Sequence, residues 1–434
     1  MPIHSYRHLI TLLLASSVLL TACSKEKPVP AVPDTTSLRA NLAFTCAKEA
    51  DRLPALNPEA DQLFKYARWL DKQPGEKQHY EEMARYYRIA AAHGHYKANS
   101  NLQKLVSQGQ AESPNPSRET VMLAQQLIDA GIPGGYYDMA RYLELGYGVK
   151  RSHQNALVYY RKAADLGSPE AQYYVAEQLA PIDIAPEIAE QMRQCAMNQG
   201  HSEAAQMLAI NFQVKKNYPE ALQAFQKAVA AGNTESALKL EDSFKGVLPS
   251  DTLDYLALPE DLERSRRYKL IGQLIDRNES KNPKIPDIDK IVPLPPAKLP
   301  HWDGTFQWQK EQDAAVPPTK PDEKLVTRLA NDKRLDPATG LLIPREPLGS
   351  KAGTGVACPE SGTWCAQWVD RHFRITQIKG QTMPPVTVVL PRDEPFWMPV
   401  IVPAMLDAIK LWPHAPNVID VTWRLEAYPE TKKT

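Results

Sequence analysis

Five glycines constrain this chain more than any other feature. Gly94, Gly131, Gly167, Gly200 and Gly232 each follow a short alanine-rich segment, and the gaps between them are 37, 36, 33 and 32 residues. A period near 35 marks a stacked repeat, because one helical hairpin of that length cannot bury its apolar face without neighbours. The stretch "ALVYYRKAADLGSPEAQYYVAEQL" shows the unit. Ala156, Tyr160, Ala163 and Ala164 fall at helical spacing. Gly167 supplies a left-handed cap that ends the helix. Ser168 suits the N-cap of the next helix and Pro169 its first turn. Ala171, Tyr174, Val175 and Leu179 then face back onto the first helix. Tyrosine pairs recur at 86–87, 136–137, 159–160 and 173–174. Within each pair one ring is expected inside and one more exposed. Tyr136, Tyr159 and Tyr173 are therefore candidate partner contacts, since tyrosine is favoured at interfaces.

From residue 251 the pattern changes. "DLERSRRYKLIGQLIDRNES" predicts one more helix, with Leu262, Tyr268, Leu270, Ile271 and Ile275 on its apolar side. "NPKIPDIDKIVPLPPAKLPHWDGTFQW" then carries too many prolines for a long helix. It also carries too many isoleucines and aromatics for a free linker. It predicts an extended strap, in part polyproline II, lying along the repeats. Its Trp302 and Trp308 join the candidate contacts. Beyond it, residues 364–369, 373–378 and 386–390 and the stretch "VIDVTWRLEAY" alternate like strands. "VPAMLDAIKLW" predicts a short helix. The expected fold is mainly α: a helical-hairpin solenoid over 41–250, a helix and strap over 251–345, and a small α+β, β-rich domain over 346–434.

The N-terminus decides the compartment. Residues 9–22 form an apolar run too short to span a bilayer, which needs about 20 residues. A weakly basic start precedes it and small residues close it, as in a secretory signal peptide. Leu20-Thr21-Ala22-Cys23 resembles a bacterial lipobox. The resemblance implies removal of residues 1–22 and lipidation of Cys23. Ser24 follows where inner-membrane retention involves an aspartate. That implies the periplasmic side of the outer membrane of a Gram-negative bacterium, with 23–40 as a lipidated tether. Four cysteines remain. Cys358 and Cys365 bracket the turn-rich "PESGTW" and are expected to form a disulfide in an oxidising compartment. Cys46 and Cys195 either pair or are small buried apolar residues.

"ARYLELGYGVKRSHQNALVYYRKAADLGSPEAQYYVA" resembles the Sel-one-like repeats, relatives of the tetratricopeptide repeats. The resemblance extends over roughly 60–245 and implies protein binding. "CPESGTWC", "KGQTMPPV" and "VTWRLEAY" resemble a terminal module of type VI secretion immunity proteins, nearest to lipoprotein antagonists of phospholipase effectors of the phospholipase D type. The partner so implied is a periplasm-acting lipase toxin. The alternative is an outer-membrane-anchored interaction scaffold of the cell envelope.

Charge is balanced, with 51 basic and 51 acidic residues, so no overall field favours nucleic acid. No HExxH, GxSxG or phosphate loop is present. His93 and His95 lack a third ligand nearby in sequence, which argues against zinc. No catalytic residue, metal or cofactor is expected.

Overall fold

The computed structural model describes residues 42–73, 79–180, 185–344, 350–368, 371–389, 416–419 and 421–428. The expected signal peptide, Cys23, the tether and the helix at 402–412 lie outside the described residues. The chain divides into two compact units, at Leu329 and Ala330.

The first unit is a run of antiparallel helices: α1 Pro58–Leu70, α2 Tyr80–Ala92, α3 Tyr96–Ser107, α4 Pro116–Asp129, α5 Pro133–Leu145, α6 His153–Leu166, α7 Pro169–Leu179, α8 Pro186–Asn198, α9 Ser202–Val214, α10 Tyr218–Ala230, α11 Thr234–Ser243 and α12 Leu262–Arg277. Each packs on its sequence neighbours, as a solenoid requires. The starts are written in the sequence. The Asn57, Asn115, Ser152, Ser168, Asn233 and Asp261 side chains accept backbone N–H bonds at their helix N-termini. Fully buried alanines such as Ala163, Ala164, Ala171 and Ala176 let the helices approach closely. Among the described residues no helix is long and apolar enough to cross a membrane.

Two repeat glycines do more than end helices. Gly167 has φ +114°, and a Cβ there would lie 2.6 Å from the backbone of Lys48. Gly232 has φ +89°, and a Cβ would lie 2.5 Å from the Pro283 carbonyl oxygen. Each admits a segment crossing the array: residues 42–52 at the first, the strap at the second. Gly94, Gly131 and Gly200 face open space instead.

The strap is built as expected along the repeats, with short helices inserted. Ile285, Ile288, Ile291 and Val292 are buried in one core with Phe225, Phe244, Tyr268 and Ile271. α13 Ile288–Ile291 and α14 Gln307–Asp313 interrupt the extended chain. A further helix, α15 Glu323–Asp332, begins at the strap's far end. There Lys320 pairs with Glu82 (2.9 Å), Arg85 with both carboxylate oxygens of Glu323, and Arg328 with Glu59 (2.6 Å). The strap thus ties α12, at one end of the array, to α1 and α2 at the other. This second layer changes two expectations. Tyr86 and Tyr87 are both buried, rather than one inside and one out. On α12 the apolar stripe is not the only buried face: Arg264 and Arg267 are buried under the strap, while Leu262 is exposed.

In the second unit, β1 Lys351–Gly353, β6 Thr422–Ala427, β2 Gly362–Trp368 and β3 Arg371–Gln377 form an antiparallel sheet in that order. β4 Val386–Val389 pairs with β5 Pro416–Ile419. The single last strand expected from "VIDVTWRLEAY" is therefore two strands in two sheets. Trp364 and Trp423 fill the core with Cys358 and Met383. Their indole N–H groups donate to the carbonyls of Glu360 (3.1 Å) and Pro384 (2.8 Å). The Cys358–Cys365 disulfide does not form; both thiols are free. Successive strand residues point to opposite faces. With Trp364 and Ala366 turned into the core, Cys365 faces away from it, whereas Cys358 lies inside. The bridge forms instead between Cys46 and Cys195, whose Cα atoms are 5.7 Å apart.

Candidate protein-interaction surface

The tyrosines knit the repeats together before they offer anything to a partner. The Tyr160 and Tyr174 hydroxyls both donate to Glu144, at 2.8 and 2.9 Å, and their rings stack at 3.8 Å. Burial pushes the Tyr174 phenol up to about 12, with the Glu144 bond acting in the same direction. The Tyr142 hydroxyl donates to Gln103 (2.7 Å). The candidate contacts Tyr136 and Tyr159 are half-buried and meet each other at 6.0 Å, while Tyr173 lies 4.8 Å from the His201 ring. They form two separate pairs on the surface of α5–α7.

The strap tryptophans are occupied internally. Trp302 is half-buried against the α9–α12 core, edge-on to Phe306 at 5.3 Å, with the Arg267 guanidinium 5.5 Å above its ring. Trp308 is buried, so as a partner contact it is corrected: its ring is used in folding. The two histidines of "HGHYK" are structural too. His95 Nδ1 accepts the Ala98 N–H (3.1 Å) at the start of α3, so its Nε2–H donates to Asp61 (3.2 Å). His93 Nε2–H donates to the Leu329 carbonyl (2.9 Å). Among the described residues no group of three or more His, Cys, Asp or Glu could hold a metal ion.

One exposed apolar feature lies outside the tyrosines and tryptophans described above. Residues 244–261 form a closed surface loop, pinned where the Asp261 N–H donates to the Phe244 carbonyl (2.9 Å). The Gln213 side-chain amide, at the end of α9, donates to the carbonyls of Thr252, Leu253 and Tyr255 at 3.2, 2.9 and 3.2 Å. Asp251 caps the Leu253 and Asp254 N–H groups, and Tyr255 packs edge-on to Tyr218 at 5.4 Å. On this fixed base Leu248 and Leu253 are 69% and 74% exposed, with Val214 beside the anchoring Gln213 at 77%. Apolar side chains held out to water by a well-bonded loop are characteristic of a docking surface. Two leucines inside an otherwise turn-rich "KGVLPSDTLDY" were the available signal.

Two carboxyls are enclosed where residues 42–52 cross the array. Glu49 is raised to about 7, chiefly by burial and then by Glu170, against the Gly134 N–H that donates to it at 3.1 Å. Asp138 is raised to about 7 by burial, against the Gln103 amide that donates to it at 3.2 Å. A carboxyl whose folded pKa exceeds its unfolded value contributes stability that is present in full at low pH and lost as pH rises through the folded value. His95 and His201 work the other way: burial lowers both, so their contribution fades as pH falls below about 6.5. The thermal midpoint of Asp138→Asn is expected to fall less than that of the native chain between about pH 5 and pH 7.5. Calorimetry across that range checks it; parallel profiles would exclude Asp138 as a titrating group there.

Residues 236–343 match the family described as a domain of unknown function, DUF6396; the match takes in α12 and the strap. A comparison with curated proteins finds no match. Among solved structures, the chain is similar to immunity protein Pa5087 from Pseudomonas aeruginosa, at 30% identity over 58% of this chain and 95% of that one, with a TM-score of 0.48. Immunity protein PA5088 of the same organism shares 28% identity over 58% and 94%, with a TM-score of 0.49. A Sel1 repeat protein from Oxalobacter formigenes shares 18% identity over 50% and 90%, with a TM-score of 0.40.

Proposed function

We propose, from the premise that this chain belongs to the family of the Pseudomonas aeruginosa immunity protein Pa5087, that it is an immunity protein which binds and neutralises a protein toxin. The observation carrying this reading is the 28–30% identity across 94–95% of two immunity proteins. The toxin is a type VI secretion effector acting in the periplasm, a lipase of the phospholipase D type. The chain acts by binding and not by catalysis. Lipidation at Cys23 holds it at the outer membrane, beside the lipid such a toxin attacks, and confinement there raises its effective concentration. The 244–261 loop is the contact offered to the toxin, because Leu248 and Leu253 are already extended and need little ordering on binding.

A strain lacking this chain is expected to lose in competition against kin delivering the effector, and to recover when the chain is restored. Restoring it as Leu248→Asp/Leu253→Asp is expected to leave the thermal midpoint unchanged, weaken toxin binding at least about tenfold, and reduce protection. Equal competition without the chain would overturn the immunity reading. Full protection by the double variant would move the interface elsewhere. Capture of cell-wall enzymes and no effector would favour an envelope scaffold.

A further inference from the structure

Residues 42–48 lie on the repeats as a bound peptide does, and one turn of 3-10 helix, Glu49–Arg52, follows them. Arg161 donates to the carbonyls of Leu42 (3.3 Å) and Ala43 (2.7 Å). The Gln172 amide donates to the Ala47 carbonyl (2.9 Å), and the Glu49 N–H donates to Gln199 (2.9 Å). These bonds read backbone, not side chains. Leu42 and Phe44 enter an apolar patch of Ala176, Leu179, Ala189 and Met192. The Glu49 carboxyl is seated at the start of α5 on the Gly134 N–H (3.1 Å). Gly167 lets the backbone at Lys48 come within 2.6 Å of where a Cβ would stand. Backbone readout, two apolar anchors and a carboxyl seat are the parts of a site for an extended peptide. Emptied, it would break the Gln172 amide's bond to the Ala47 carbonyl and leave that amide only the Ala164 carbonyl (3.2 Å), which favours refilling by another peptide.

The segment is also latched. Cys46, bonded to Cys195 on α8, is exposed, and the bridge lines an open groove of ≈ 890 Å³ with Thr45, Gln191 and Gln194. An exposed disulfide is the kind a reductant reaches.

We propose that α5–α8 form a binding groove for an extended peptide, filled in this structure by the chain's own residues 42–52, and that the Cys46–Cys195 disulfide controls whether a peptide in trans can replace them. The peptide it takes has apolar residues where Leu42 and Phe44 stand and a carboxylate where Glu49 stands. A dithiol reductant opens the latch. Its thiolate attacks the Cys46 sulfur, the S–S bond breaks, and Cys195 leaves as a thiolate that takes up a proton. The reductant's second thiolate then attacks the mixed disulfide and releases Cys46 as a thiol, carrying away the two-electron oxidation as its own disulfide.

The test uses a fluorescent peptide spanning residues 42–52 with Cys46→Ser. It is titrated into the oxidised full chain and into the full-length variant Leu42→Asp/Phe44→Asp/Cys46→Ser, which ejects the resident segment. Saturable binding to the variant is expected, with the oxidised chain at least about 100-fold weaker, because the tethered segment competes at millimolar effective concentration. No binding to a variant whose helicity matches the native chain would overturn the groove; equal binding to both would overturn the latch. If the variant fails to fold, hydrogen exchange on the native chain decides. With dithiothreitol, residues 42–49 should exchange at least about tenfold faster while α6 and α7 stay protected. Unchanged exchange at 42–49 would overturn the proposal.

Discussion

Removing the Cys46–Cys195 bridge by Cys46→Ser is expected to destabilise the repeat unit by up to about 5 kcal/mol, the largest effect of any single substitution considered. The two cysteines are separated by 149 residues, so the bridge closes a loop that takes in α1–α7 and most of α8. Chain-entropy reasoning gives the largest stabilisation to the longest loops. The loss also loosens residues 42–52, so that Arg161, Gln172 and Gln199 compete for water with the carbonyls they now hold. At about 2–4 °C per kcal/mol for a unit of this size, the midpoint should drop by up to roughly 10–20 °C. Calorimetry of the native chain and the variant reads it directly. A drop of under about 2 °C would mean the segment is held by its hydrogen bonds alone.

Arg264→Ala/Arg267→Ala is expected to free the strap. Arg267 donates to the carbonyls of Ile291 (2.6 Å) and Pro300 (3.0 Å), and Arg264 to those of Pro293 (3.2 Å) and Ala297. Proline-rich chain cannot form a ladder of its own, so these guanidinium groups take the place of a partner strand. Both side chains are almost fully buried, and Glu263 balances Arg267 at 2.8 Å. Truncation leaves four strap carbonyls unpaired at about 1–3 kcal/mol each, for a total of at least roughly 4 kcal/mol. Limited proteolysis should then cut between residues 293 and 306, where the native chain resists. Lysine at 267 should not rescue it, because a point charge cannot span two carbonyls and a carboxylate. An unchanged cleavage pattern would show that the isoleucine anchors suffice.

The repeat was legible because a left-handed helix cap needs glycine, and all five repeat glycines have positive φ. The strap was legible because a run so rich in isoleucine cannot stay in water. Its partners were not. Periodicity marks Tyr268 and Ile271 as inward but cannot show that Arg264 and Arg267 will be covered by carbonyls arriving from 24 to 33 residues downstream. α15 was missed although Asp322 followed by Leu325, Val326 and Leu329 has the cap and spacing of a short helix. The disulfide was misassigned for a related reason. Closeness in sequence favoured Cys358 and Cys365, but strand alternation around Trp364 already placed Cys365 on the far face. Cys46 and Cys195 meet only because residues 42–52 fold back over α5–α8, and no local pattern encodes that return. The exposed 244–261 loop was hidden by its composition: its leucines stand among Pro, Ser and Asp, where a spacer is the ordinary reading.

The most direct measurement mixes the purified full chain with a periplasm-acting lipase effector delivered by kin and follows both complex formation and lipid hydrolysis. An immunity protein should form a stable complex of fixed stoichiometry and abolish hydrolysis once the chain is equimolar. No complex, or a complex that leaves hydrolysis untouched and the toxin lethal in the periplasm, would contradict it.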